Sequence, residues 1–268
     1  MLYETFKKSW KDLDARLFIP VVLLNLANLA LFLLFLALNG LMDSKNIFKL
    51  LETLTVQEFL GLLGSAKFVI SGMAFLLLSF AIRSGFLAMK FAMPSSIVKR
   101  KSLTTSEMLN HGVSDLGKVL SLRALTSVVV FVVGFVVVLA SVLVSTLNAN
   151  IGGILLVVLA LIAAIILGFG LLFRYAIMFM LETNSMNAIK RSFNYAFSHI
   201  WKVIAVVLIT VVVAAIPMLA LQWLNLRFAA SSFVAIAMTL LGLAYSLVID
   251  VWSVLFIFNA YNSDKNLH

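Results

Sequence analysis

The chain has no cysteine among its 268 residues. Disulfides, thiolate metal sites and cysteine nucleophiles are therefore excluded, and the redox compartment stays open. Histidine is scarce as well. His111, His199 and His268 lie far apart, and none pairs at the i, i+4 spacing of a helix-borne metal site. No G-x-S-x-G elbow, phosphate-binding G-x-x-x-x-G-K-[ST] loop or G-x-G-x-x-G turn occurs. The reading is of a protein that is not an enzyme, with no cofactor and no metal. Charge is the largest shortage: only 12% of the residues are charged, about half the ~25% of soluble domains.

Hydrophobic residues fill the gap, at 63% of the chain and a mean hydropathy of +1.13. One water-soluble core of this size cannot hide so much apolar surface, so the solvent for most of the chain is lipid. Six segments supply the ~20 apolar residues that a crossing helix needs: about 17–39, 67–92, 119–147, 151–181, 201–223 and 231–258. A β-barrel is excluded because Val128–Val138 reads VVVFVVGFVVV with no alternation. Asn148-Ala149-Asn150 with Gly152-Gly153 supplies a tight turn between the third and fourth spans. Pro20 sits harmlessly in a first turn. Pro94 is expected to end the second span, and Pro217 to kink the fifth and free a backbone carbonyl. The first span is too long for a signal-peptide core and reads as a retained helix. Trp10, Trp201, Trp223, Trp252, Tyr175 and Tyr261 read as an aromatic belt.

Orientation follows from the Lys and Arg residues. Of the 20, all but Lys45, Lys49, Lys67 and Arg227 fall on the side of the N-terminus, the 93–118 and 182–200 loops and the C-terminus. The positive-inside rule puts both termini in the cytoplasm, at the inner (plasma) membrane. The formal net charge of +9 is thus spread along span flanks, which argues against nucleic acid. On the other side, loop 40–66 carries a capping box, Thr55-x-x-Glu58, and an apolar face expected to lie on lipid or on the bundle.

Three segments enter the membrane alike. They are Phe6-Lys-Lys-Ser-Trp10, Met108-Leu-Asn-His-Gly112 and Ile189-Lys-Arg-Ser-Phe193, with Gly112 the departure. Each reads as a short amphipathic helix leading into an odd-numbered span. Apart from the basic residues counted at the span flanks, each even-numbered span is read as carrying one strong charge: Arg83, Arg174 and Asp250. Small or polar residues precede these at −4 and −11, namely Ser79 and Gly72, Gly170 and Ala163, Ser246 and Thr239. Such offsets share one helical face, and small faces let helices approach closely in lipid. The architecture expected is all-α: three hairpins, each preceded by a cytoplasmic amphipathic helix, in one polytopic domain with units near 1–93, 94–182 and 183–268. A pseudo-threefold centre and a side-by-side arrangement both fit.

At ~1.5 Å per residue the three charges lie at similar depth, about 24–35 Å from the outer helix ends. Charges at such depth normally face the bundle interior, paired or wet. Asp250 can pair with Arg83 or Arg174. The trio is either a structural ion cluster or a pocket whose spare arginine takes a lipid headgroup, phosphate or carboxylate. A proton relay through Asp250 is a further alternative. Glu182 is expected to contact Lys190 or Arg191.

The stretch Arg174–Ala196, with Ala188-Ile-Lys-Arg-Ser192-Phe193 at its centre, and the loop Val98-Lys-Arg-Lys-Ser-Leu-Thr-Thr-Ser-Glu-Met-Leu109 resemble uncharacterised six-span prokaryotic membrane proteins. These include proteins similar to the membrane domain of glycerophosphoryl diester phosphodiesterases. The resemblance implies the six-span fold. That family's catalytic barrel would need a further soluble domain, so its activity is not carried over. The expected role is transport-related, or binding of membrane lipids or partners at the cytoplasmic leaflet, alone or as a homo-oligomer. The alternative is a permease subunit of an ATP-driven exporter.

Overall fold

The computed structural model describes residues 2–39, 64–100, 104–146, 148–228 and 232–265. Among these, every regular element is helical. Helix α1 is Leu2–Lys11, followed by a 3-10 turn, Ala15–Phe18, and α2, Ile19–Leu38. Helix α3 is Ala66–Val98, α4 is Thr105–Ser114 and α5 is Leu116–Ser145. Helix α6 is Ala149–Leu171, α7 is Arg174–Leu181 and α8 is Ser185–Ser198. Helices α9, Ile200–Phe228, and α10, Ser232–Lys265, follow. Six stretches are long and apolar enough to cross a membrane: Ala15–Leu38, Ala66–Val98, Leu116–Ser145, Ala149–Leu181, Ile200–Asn225 and Ile236–Asp264. The chain is an all-α, six-span, multi-pass membrane protein.

Local chemistry sets the boundaries. Ser65, Asn148 and Asn184 cap α3, α6 and α8, each side chain accepting from a backbone N–H of the first turn. A capping box opens α4: the Thr104 side chain takes the Glu107 N–H, and Glu107 reaches back to the Thr104 N–H at 2.7 Å. The expected box at Thr55 and Glu58 lies outside the described residues, as does most of loop 40–66. Pro94 does not end the second span, because α3 continues to Val98. The fourth span is not one rod but breaks at Leu172–Phe173. Pro217 does free a carbonyl. Residue 213 loses its i+4 donor to the proline, and the Tyr245 hydroxyl of α10 donates to the Val213 carbonyl instead.

Consecutive long helices pack on one another: α2 on α3, α5 on α6 and α9 on α10. The short helices link these pairs in a circle. Helix α4 docks on α3 of the first pair and α8 on α5, α6 and α7 of the second. Helix α1 reaches across to α10 of the third. At the end that carries the basic residues, α3, α7 and α10 each touch the other two. Phe91 of α3 stacks on Tyr175 of α7 at 4.1 Å, and on Phe258 of α10 at 6.2 Å.

Among the described residues, hydrophobic burial is concentrated at this end. Apart from Leu36, the buried hydrophobic residues belong to the basic-end portions of the helices, with Phe173, Trp252 and Phe256 fully enclosed. The opposite portions are bare, as at Phe131 (72% exposed) and Ile154 (67%). The physical reason is the solvent. Acyl chains are as apolar as leucine, so nothing drives apolar helix surfaces together within lipid. Where the helices emerge toward water, the hydrophobic effect returns and builds a core. Trp252 therefore belongs to the core rather than to an aromatic belt. Trp201 and Trp223 remain exposed.

Candidate functional site

The structure corrects the pairing of Asp250. Its carboxylate takes Lys90 Nζ of α3 at 2.6 Å, and neither arginine. Lys90 lies seven residues beyond Arg83, two turns along the same face of α3. Its side chain is 13% exposed against 44% for Asp250, so the lysine is the enclosed partner. By sequence alone Lys90 is one of the basic residues near the inner end of the second span.

The two arginines are placed differently. Arg174 stands where the fourth span breaks, and its Nη1 donates to the Leu171 carbonyl at 2.6 Å. It thereby caps the last turn of α6, whose carbonyls have lost their helical donors. Its guanidinium lies 4.7 Å over the Tyr175 ring, and its Nε is buried without an acceptor. Arg83 is exposed and, among the described residues, makes no hydrogen bond or ion pair. Beside it stands Arg123 of α5, half-buried, donating to the Phe80 carbonyl and Ser84 Oγ at 2.7 Å each. The Arg123 guanidinium lies 4.0 Å over the Phe80 ring. Arg83 and Tyr175 are both within electrostatic reach of Arg123. Arg83 of α3 and Arg123 of α5 thus form a cationic pair, and no described carboxylate is bonded to either or to Arg174 of α7.

Of the two glycines among the small residues, Gly170 makes the closer approach. A Cβ there would overlap the Phe193 ring of α8. At Gly112, the departure in the second entry segment, an added Cβ would overlap Met89. The size mismatch is thus made up by the helix beneath: glycine meets methionine there, and Phe193 meets glycine. Gly72 lies against Phe35 of α2, with the nearest ring carbon at 3.9 Å from a Cβ position. Ser79 and Ala163 are half-buried. Thr239 and Ser246 are exposed and, with Gln222 and Asn225, line a cavity of about 300 Å³ between α9 and α10.

A second polar feature is a cleft of about 420 Å³ where α3, α4 and α7 meet the start of α5. Asp115 is its hub, holding His111 Nδ1 and Lys118 Nζ at 2.8 Å each. Burial pushes the Asp115 carboxyl up, but these hydrogen bonds and charges outweigh it and leave it below its ordinary value. Glu107 is also held below its ordinary value, chiefly by the Thr104 N–H. Glu182 does not contact Lys190 or Arg191. It pairs with Lys99 at 3.2 Å, with its own backbone left-handed at φ 51°. Lys99 also donates to the Phe179 carbonyl, which ties α3 to α7.

Sequence reasoning passed over Lys90 and Arg123. One signal was available for the first: Lys90-Phe91-Ala92-Met93 parallels Arg174-Tyr175-Ala176-Ile177, and it is Phe91 and Tyr175 that stack. Arg123 carried no such signal, since only the packing of α5 on α3 brings it to Ser84. No family model matches the chain, and neither a curated protein nor a solved structure does. Function therefore rests on the geometry alone.

Proposed function

We propose that this is a non-enzymatic plasma-membrane protein that binds anionic lipid headgroups at the cytoplasmic leaflet. Both termini are cytoplasmic, and three similar units sit around a central axis. The circular docking of α4, α8 and α1 on preceding long helices, with α1 returning to α10, supports the threefold reading. So does the matched burial of Ser9 and Ser192 in the related segments of α1 and α8. The observation that carries the lipid reading is the uncompensated pair of Arg83 and Arg123, with Arg174 of α7 likewise unpaired. With Asp250 neutralised by Lys90, none of these three positive charges has a carboxylate bonded to it among the described residues. Counted from the outer helix ends these arginines lie ~26–37 Å down, near the inner boundary of a ~30 Å hydrocarbon layer. Phosphodiester headgroups lie at that level and suit guanidinium donors.

The test is competition between phosphatidylglycerol and phosphatidylcholine for the purified chain in nanodiscs, read by native mass spectrometry. Wild type should prefer the anionic lipid. Arg83→Ala/Arg123→Ala should lose roughly fivefold of that preference per charge, at ~1 kcal/mol each. An unchanged preference in the double variant would overturn the reading. Stoichiometric recovery of an ATPase with the wild-type chain would move it to the exporter permease.

A further inference from the structure

Helix α1 carries a second cationic surface, remote in sequence from the arginine cluster. Glu4, Lys7, Lys8 and Lys11 follow i, i+3, i+4, i+7 spacing and so share one face. The adjacent face buries Ser9, and Trp10 stacks on Trp252 at 5.3 Å, which fixes the helix against α10. Between the lysine face and the last turns of α10 lies a cavity of about 490 Å³, within the ~300–1,000 Å³ of small-molecule sites. All three lysines line it, and among the described residues none of them forms an ion pair or hydrogen bond. Two carboxylates, Glu4 and Asp12, line it too, so cations are in excess.

Asn259, Asn262 and Ser263 of α10 complete the wall. Asn259 is only 3% exposed. Its Nδ2 donates to Ser9 Oγ and Asp12 Oδ2 at 3.2 Å each, while its Oδ1 has no donor. A buried amide oxygen without a donor is costly, and such groups in native proteins are ordinarily satisfied. The cavity thus joins two unmet needs: ammonium groups that lack an anion, and an acceptor that lacks a hydroxyl or N–H.

We propose that this cavity binds a phosphorylated polyol, its phosphate against the α1 lysines and a hydroxyl donating to Asn259 Oδ1. The same chemistry is offered by a glycerophosphate lipid headgroup and by a free polyol phosphate. The site does not depend on the arginine cluster, and the two are separable by variant.

The experiment uses the full chain in detergent and in nanodiscs. Glycerol 3-phosphate, inorganic phosphate and glycerol are titrated by calorimetry, with Trp fluorescence following the Trp10–Trp252 stack. Phosphatidylglycerol is compared with phosphatidylcholine in nanodiscs. Lys8→Ala/Lys11→Ala alters exposed side chains and preserves the docked face of α1. Saturable binding of glycerol 3-phosphate, at least tenfold weaker in this variant and unchanged in Arg83→Ala, supports the site with a soluble ligand. Lysine-dependent selectivity for phosphatidylglycerol without binding of the free compound supports it with a lipid ligand. Equal affinity for inorganic phosphate and glycerol 3-phosphate, no binding of either source, or binding indifferent to the lysines each overturns it.

Discussion

At the scale of single residues, lipid changes which groups matter. A backbone carbonyl freed in water is solvated, but inside a bilayer it must find a protein donor. Two such carbonyls find side-chain donors here, one from a neighbouring helix and one from three residues further along the chain. Tyr245 serves Val213 beneath Pro217, and Arg174 serves Leu171 where the fourth span breaks. Tyr245→Phe is expected to destabilise the chain by about 1 kcal/mol. The loss should shrink in a Pro217→Ala background, where Val213 regains its helical donor; unfolding titrations in bicelles read both, and equal losses would remove this account. Outside the spans, Asp115 governs an acid response. Its carboxyl is held below its ordinary value, so it adds stability above the unfolded value near pH ~4 and loses that contribution as pH falls through the folded value. Asp115→Asn should therefore melt earlier than wild type at pH 7, with the gap closing toward pH 3. A gap that stays constant with pH would exclude the titration.

At the scale of elements, the ion pair Lys90–Asp250 joins α3 to α10 across 160 residues of chain. Removing one partner leaves an enclosed charge, while removing both removes the problem. Asp250→Ala should cost about 1–3 kcal/mol, less than the 3–5 of a fully buried pair because Asp250 is 44% exposed. Lys90→Met should restore part of that loss, whereas Arg83→Ala should not. Thermal denaturation in detergent measures all three, and rescue by Arg83→Ala would return the pairing to the arginine. A neighbouring network works the same way near the C-terminus. Lys202 of α9 holds Asp264 of α10 at 2.5 Å, and Tyr195 of α8 donates to the same carboxylate at 2.6 Å. Burial first, then the hydrogen bond to Asp264 and that group's charge, drive the Tyr195 hydroxyl far above its ordinary value, so it stays a donor.

At the scale of the whole molecule, the packed part and the apolar part are different places. The core lies where helices leave lipid, and the apolar lengths are exposed on most sides. The absence of cysteine makes this directly accessible to labelling without first altering the chain. Cysteines at Phe131 and Ile154 should react with a lipid-soluble maleimide, while one at Val206 should not until the protein is unfolded. Asn150→Cys should be labelled from outside intact cells and Ser198→Cys only after permeabilisation. Reversal of that last pair would invert the orientation taken from the basic residues.

The sequence by itself determined the solvent and the number of crossings, because both depend on runs of residue type along one chain. It also showed that Pro217 must free a carbonyl and that Gly170 sits on a packing face, since helical periodicity is local. The tertiary structure decided every partner. Asp250 meets Lys90 rather than an arginine, Tyr245 reaches Val213, and Arg123 arrives beside Arg83. Each of these depends on how far one helix slides along another, and in a chain this uniformly apolar many offsets bury equal surface. A few polar contacts at the basic end select among them, and they become visible only once the helices are assembled.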